Sequence, residues 1–170
     1  MKYLIASDIH GSEIALDRVL DYFHREQCDM LVLLGDLLNF GPRNGLPEGH
    51  NPQAVADKLN QHADRIVAIR GNCDSEVDQM LLHFPIMADY AIIVDEGKRL
   101  FLTHGHKYTP ENTTHLNFEA LFYGHTHVKE LYTSNQGKII CNVGSVTFPK
   151  AGNPPSFAVY EAGKIKLVKA

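Results

Sequence analysis

The chain has 170 residues, 44% hydrophobic and 21% charged, and its formal net charge is −4, from 16 Lys+Arg against 20 Asp+Glu. This length and balance describe one globular domain, residues 1–170, and exclude disordered, collagen-like and long coiled-coil chains. The apolar runs, such as Met30–Leu34, fall far short of the roughly 18 residues of a membrane span, and the scattered basic residues argue against nucleic-acid backbone binding.

Residues 2–7 read as a first strand, too short for the apolar core of a signal peptide. Ser12 can cap a helix to about residue 27, whose Leu16, Val19, Leu20 and Phe23 form one apolar stripe. The continuous apolar run 30–34 reads as a strand covered on both faces. After a Gly/Pro/Asn-rich loop at 39–50, Asn51-Pro52 opens a helix to about 62. A strand is expected at 65–70 and a short helix from Ser75 to Leu82. The second half is strand-rich, at 90–94, 99–103, 120–123, 128–133, 138–142, 157–161 and 164–168. Hairpin turns are expected at 95–98, 134–137 and 161–164. The pattern is α/β in front and an antiparallel meander behind, giving two packed sheets with outer helices.

Histidine is abundant, with 10 residues, more than the prolines or tyrosines. Many of these side chains, and several acids, follow strand ends. Asp8 and His10 follow the first strand, Asp36 the second and Asn72 the third, while His104 and the pair His125 and His127 follow later ones. Gly144-Ser145 follows a sixth and reads as a turn framing the site. In layered α/β folds ligands bind beyond the carboxyl ends of strands. Mixed oxygen and nitrogen donors without thiolate suit Mn, Fe, Zn or Ni. Seven donors exceed one tetrahedral ion and suit two ions sharing a carboxylate, as in two-metal phosphoryl chemistry.

The ordered set Asp8-x-His10, Gly35-Asp36, Gly71-Asn72-Cys73-Asp74, His104 and Gly124-His125-x-His127 resembles the calcineurin-like metallophosphoesterases. The stretches 35–44 and 71–76 resemble the small bacterial YfcE-type phosphodiesterases within that superfamily. The resemblance implies a four-layer α/β/β/α sandwich of two packed mixed sheets flanked by helices. It implies two divalent ions, manganese first, with zinc, iron or nickel as alternatives. Asp8, His10, Asp36 and His127 would hold the first ion, Asp36 would bridge, and Asn72, His104 and His125 would complete the second. The expected reaction is hydrolysis of a small phosphodiester by a metal-bridging hydroxide.

Cys73 stands where many relatives carry a histidine thought to protonate the leaving group. A thiol is a less effective acid near neutrality, so diesters and good leaving groups are expected over alkyl monoesters. Asp74 is a second catalytic candidate, or a cap of the short helix. Asn39, Arg43 and His106 are candidate substrate contacts, with Arg43 suited to a phosphate. His24, His62 and His83 fall on expected helices without a catalytic role, and His50 and His115 lie in loops.

Three widely spaced cysteines, Cys28, Cys73 and Cys141, suit a reducing compartment, hence a cytoplasmic protein. The rival readings are a catalytically weak scaffold of the same fold, as the retromer subunit Vps29 is, and a nuclease. Nucleic acid is not an expected partner, nor is a membrane. Apolar residues at 84–94 suggest a surface for a homo-oligomer.

Overall fold

The computed structural model describes residues 1–170. Two five-stranded mixed sheets pack face to face. The first has the strand order β10-β9-β1-β2-β3, from β1 (Lys2–Ala6), β2 (Met30–Leu33), β3 (Ile66–Ala68), β9 (Ser156–Glu161) and β10 (Lys164–Lys169). The second has the order β4-β5-β6-β8-β7, from β4 (Tyr90–Asp95), β5 (Lys98–Thr103), β6 (Ala120–Tyr123), β7 (Glu130–Thr133) and β8 (Ile139–Asn142).

The two-residue alternation of strand side chains sorts the apolar residues into layers. Leu4, Ala6, Leu31, Leu33, Phe157 and Val159 face the helices α1 (Glu13–Arg25) and α2 (Pro52–Asn60). Tyr3, Ile5, Val32, Ala158 and Tyr160 meet Leu100, Leu102, Phe122 and Cys141 of the second sheet. Phe101, Leu121, Tyr123 and Ile140 point out of the second sheet and lie under Tyr108, Leu116 and Phe118. The fourth layer is therefore the looped segment 104–119, which contains no α-helix.

The helix signals are realised at their caps. Ser12 accepts the amide of Ala15, and α1 buries the expected stripe together with Ala15. Asn51 accepts the amide of Ala54 ahead of Pro52. Ser75 and Asp78 form a capping box on α3 (Glu76–Leu81), so Ser75 is a cap.

The expected meander is corrected. All three hairpins form, but β6 pairs parallel with both β5 and β8. The final hairpin β9–β10 returns to the first sheet, where β9 pairs antiparallel with β1. Turn residues report that neighbours pair, not which sheet they join. This topology positions the site. β1, β2 and β3 are mutually parallel, as are β5, β6 and β8, so the carboxyl ends of six strands collect at two sheet edges.

His62 and His83 lie just past helix ends. Within 84–94, Phe84 and Ile86 are buried in the core, and the exposed apolar face is Tyr90, Ile92 and Val94 on the edge strand β4. No helix is long and apolar enough to cross a membrane.

Candidate metal centre

Every donor is delivered by a sharp turn directly after a strand. Asp8, His10, Asp36, His125 and His127 all adopt left-handed backbone angles, with φ between 52° and 62°. Such conformations cost about 1–3 kcal/mol each for non-glycine residues and persist only where surrounding contacts over-determine them. Gly35 and Gly124 make the crowding possible. A Cβ on Gly35 would lie 2.3 Å from the Gly71 nitrogen, and one on Gly124 would lie 2.1 Å from Ser7 Oγ and 2.6 Å from Asp8 Oδ2.

The structure brings all seven expected donors together. Asp8 Oδ1 lies 3.1 Å from His127 Nε2 and 3.5 Å from His10 Nε2, and the two imidazole nitrogens are 3.5 Å apart. Beside this triangle, His104 Nε2 lies 3.0 Å from Asn72 Oδ1 and 3.3 Å from His125 Nδ1. Asp36 sits between the groups. Its Oδ2 is 3.8 Å from His10 Nε2 and 3.5 Å from His104 Nε2, while its Oδ1 accepts the Cys73 amide at 2.8 Å.

Three imidazoles are oriented from behind. His10 Nδ1 pairs with Asn39 O at 2.8 Å, His127 Nδ1 with Phe148 O at 2.8 Å, and His104 Nδ1 with Leu34 O at 2.7 Å. A carbonyl can only accept, so each Nδ1 carries a proton and each Nε2 is the nitrogen turned inward, free to bind a cation once unprotonated.

The electrostatics follow from burial among opposed charges. Burial raises the Asp8 carboxyl, but His10 and His127 outweigh it and hold it well below the usual range. Burial lowers His104, yet its contact with Asp36 and the charges of Asp8 and Asp36 carry it to about 9. Cys73 is pushed up to about 12, first by burial and then by the Asp36 charge.

The other candidates separate by position. Arg43 and Cys73 line the cleft over the donors, which has a volume of about 380 Å³. Asn39 does not line it. Its carbonyl meets His10 Nδ1 and its side chain accepts the Gly41 amide, which gives it an orienting role. His106 also stands outside the lining, against the rings of His104 at 5.3 Å and His125 at 6.1 Å. Burial and those two imidazoles push it down to about 4.

Asp74, a catalytic candidate or helix cap by its sequence, acts in the structure as a clamp between two turns. Its buried carboxylate accepts the amides of Asp36 and Gly71, each at 2.7 Å, and of Leu37 at 2.9 Å. It ties the Asp36 turn to the Asn72 turn. Ser145 frames the site as expected, its Oγ donating to Asp8 O at 3.1 Å and accepting the amides of Thr147 and Phe148. Sequence reasoning missed Phe40, Thr126 and Lys150 in the cleft wall. Lys150 lies too far beyond the sixth strand end for the strand-end rule to have found it.

Residues 1–164 match the calcineurin-like phosphoesterase superfamily domain. Phosphodiesterase YfcE of Escherichia coli K12 is 51% identical over 170 residues, covering 99% of this chain and 91% of that protein. A solved structure of YfcE, described as a phosphoesterase from E. coli, has a TM-score of 0.92 at 47% identity, covering 99% of this chain and 98% of that one. Vps29 of Cryptosporidium parvum has a TM-score of 0.67 at 16% identity, covering 98% and 95%, a likeness of fold alone. The chain belongs to the calcineurin-like phosphoesterase superfamily.

Proposed function

We propose that this protein is a cytoplasmic, di-metal phosphodiesterase that hydrolyses a small phosphodiester. One observation carries the metal reading. Asp8 Oδ1 is buried without a hydrogen-bond donor, although it lies beside His10 Nε2 and His127 Nε2. A buried carboxylate oxygen with no aligned donor, set among imidazole nitrogens, calls for a positive charge, which a bound metal ion would supply. The donor chemistry fits a borderline divalent ion, manganese first, with zinc, iron or nickel compatible.

Asp8, His10, Asp36 and His127 would hold one ion, and Asp36, Asn72, His104 and His125 the other. When bound, the ions supply Lewis acidity to the phosphoryl oxygens and acidify water, so that hydroxide is available near neutral pH. The chain's own residues do the rest. The carbonyls of Asn39, Phe148 and Leu34 hold three imidazoles in one tautomer. Asp74 fixes the spacing of two donor turns. Arg43 presents a planar guanidinium fork at the cleft wall. The Cys73 thiol lines the cleft but is too weak an acid to serve an alkoxide efficiently, which favours diesters with good leaving groups. The three cysteines are free, which supports a reducing compartment.

The test is hydrolysis of bis-p-nitrophenyl phosphate by chelator-stripped protein with and without Mn²⁺. Metal-dependent release of p-nitrophenolate is expected, with p-nitrophenyl phosphate a poorer substrate. A stripped protein that Mn²⁺ fails to activate on any diester would favour the scaffold reading. Cleavage of DNA or RNA in preference to small diesters would favour a nuclease.

A further inference from the structure

We propose that Lys150 and Arg43 form an anion-reading rim, so that the cleft prefers phosphodiesters bearing a second anionic group on one ester substituent. The proposal rests on the phosphodiesterase reading and adds to it the class of substituent.

The two cations reach one cleft from different sheets. Arg43 belongs to the loop after β2, and Lys150 to the loop after β8. Each loop is fastened to the donors. The Lys150 amide donates to His127 O at 3.0 Å, and the turn before it is tied down by Thr147 Oγ1 donating to Ile9 O at 2.7 Å. The Arg43 loop is held through Asn39, whose carbonyl meets His10, and by Asn44 Nδ2 donating to Phe40 O at 2.7 Å. These charges therefore sit on anchored backbone, although their side chains are exposed.

Neither side chain has a partner in the chain. Arg43 and Lys150 form no ion pair and no side-chain hydrogen bond, whereas Lys58 and Lys107 pair with acids. The only acid lining the cleft is Asp36, which the donor cluster already engages. Nothing in the wall answers two positive charges. A simple diester carries one negative charge, at the phosphorus the donors address. A guanidinium fork and an ammonium beyond them are suited to a carboxylate, sulfonate or second phosphate. Phe40 and Pro42 supply apolar surface beside Arg43 for the group that carries this anion.

The experiment uses two substrates with the same leaving group: p-nitrophenyl phenyl phosphate and p-nitrophenyl 4-carboxyphenyl phosphate. With Mn²⁺-loaded protein, kcat/KM for the carboxylate substrate should exceed that for the neutral one by about two- to thirty-fold, the product of two exposed charge pairs. The gain should appear in KM and shrink as salt is raised. Lys150→Met and Arg43→Gln should each bring the ratio towards one, and Lys150→Glu should push it lower still. A wild-type ratio of one or less would overturn the proposal. So would variants that keep the wild-type ratio while losing both substrates equally, since the cations would then grip only the scissile phosphate. Failure of Mn²⁺ to support hydrolysis of either compound would instead strike the phosphodiesterase reading, and the two failures are distinct.

Discussion

The two halves of the donor cluster are built differently. Asp8, His10 and His127 are all buried, and both imidazoles are locked from behind by backbone carbonyls. In the other half only His104 has that treatment. His125 is half-buried and pairs only through Nδ1 with His104, while Asn72 is exposed and donates to Cys73 Sγ at 3.3 Å. The first half has its ordering entropy spent during folding, and the second must still immobilise two side chains when it binds. On the proposed di-metal reading, the preorganised half would hold its ion more tightly than the looser half facing the cleft.

The largest effect that can break this comparison is at Asp36, the residue common to both halves. Asp36→Asn should lower diesterase activity by about 10³-fold or more, roughly 4 kcal/mol of transition-state stabilisation, while leaving the protein folded. Activity near wild type would mean that the halves are not joined by this carboxylate.

Next come the paired alanine variants. His127→Ala should abolish the tighter of two Mn²⁺ binding steps in calorimetry, and His125→Ala should remove only the weaker. Outer partners of metal ligands are worth about 10–100-fold in affinity, so the difference between the steps should fall in that range. Equal loss in both variants would erase the distinction between the halves.

Asp74 tests the clamp that joins the Asp36 and Asn72 turns. Asp74→Asn leaves one buried amide facing an NH₂ donor, a cost of about 1–3 kcal/mol. For a chain of this size that is a fall in Tm of roughly 2–12 °C. An unchanged Tm would mean that the three amide contacts contribute nothing.

A subtler difference concerns protons. The folded value of His104, about 9, stands above the unfolded 6.5. Its proton thus stabilises the metal-free fold fully below pH 6.5, and that contribution is lost as pH rises through about 9. Chelated protein should lose thermal stability over this window, and metal-loaded protein should lose less. Identical pH profiles would contradict this assignment. The smallest expected effect is a gain: Cys73→His should raise turnover of alkyl monoesters, and no gain would discard the thiol as the reason for diester preference.

Much of this site is legible in the sequence because its logic is local. Strand, then glycine or a short turn, then donor is a pattern that a single segment carries, and Asp8, His10, Asp36, Asn72, His104, His125 and His127 all display it. What is not legible depends on partners distant in sequence. Asp74 reads as a catalytic candidate or a helix cap, and its hold on the amides of Asp36 and Leu37 is not visible in the sequence. Asn39 reads as a substrate contact until its carbonyl is seen behind His10. The β9–β10 hairpin is plain from its turn, but joining β1 rather than the second sheet is decided by long-range pairing. The 104–119 cover has no helical period, and its role emerges only when Phe118 and Leu116 are seen over Phe101 and Leu121.

The central claim is that two ions act together. Stripped protein should be titrated with Mn²⁺ while bound metal and bis-p-nitrophenyl phosphate hydrolysis are measured on the same samples. Activity should stay low through the first equivalent and rise with the second. Full activity at one equivalent, or activity without metal, would contradict it.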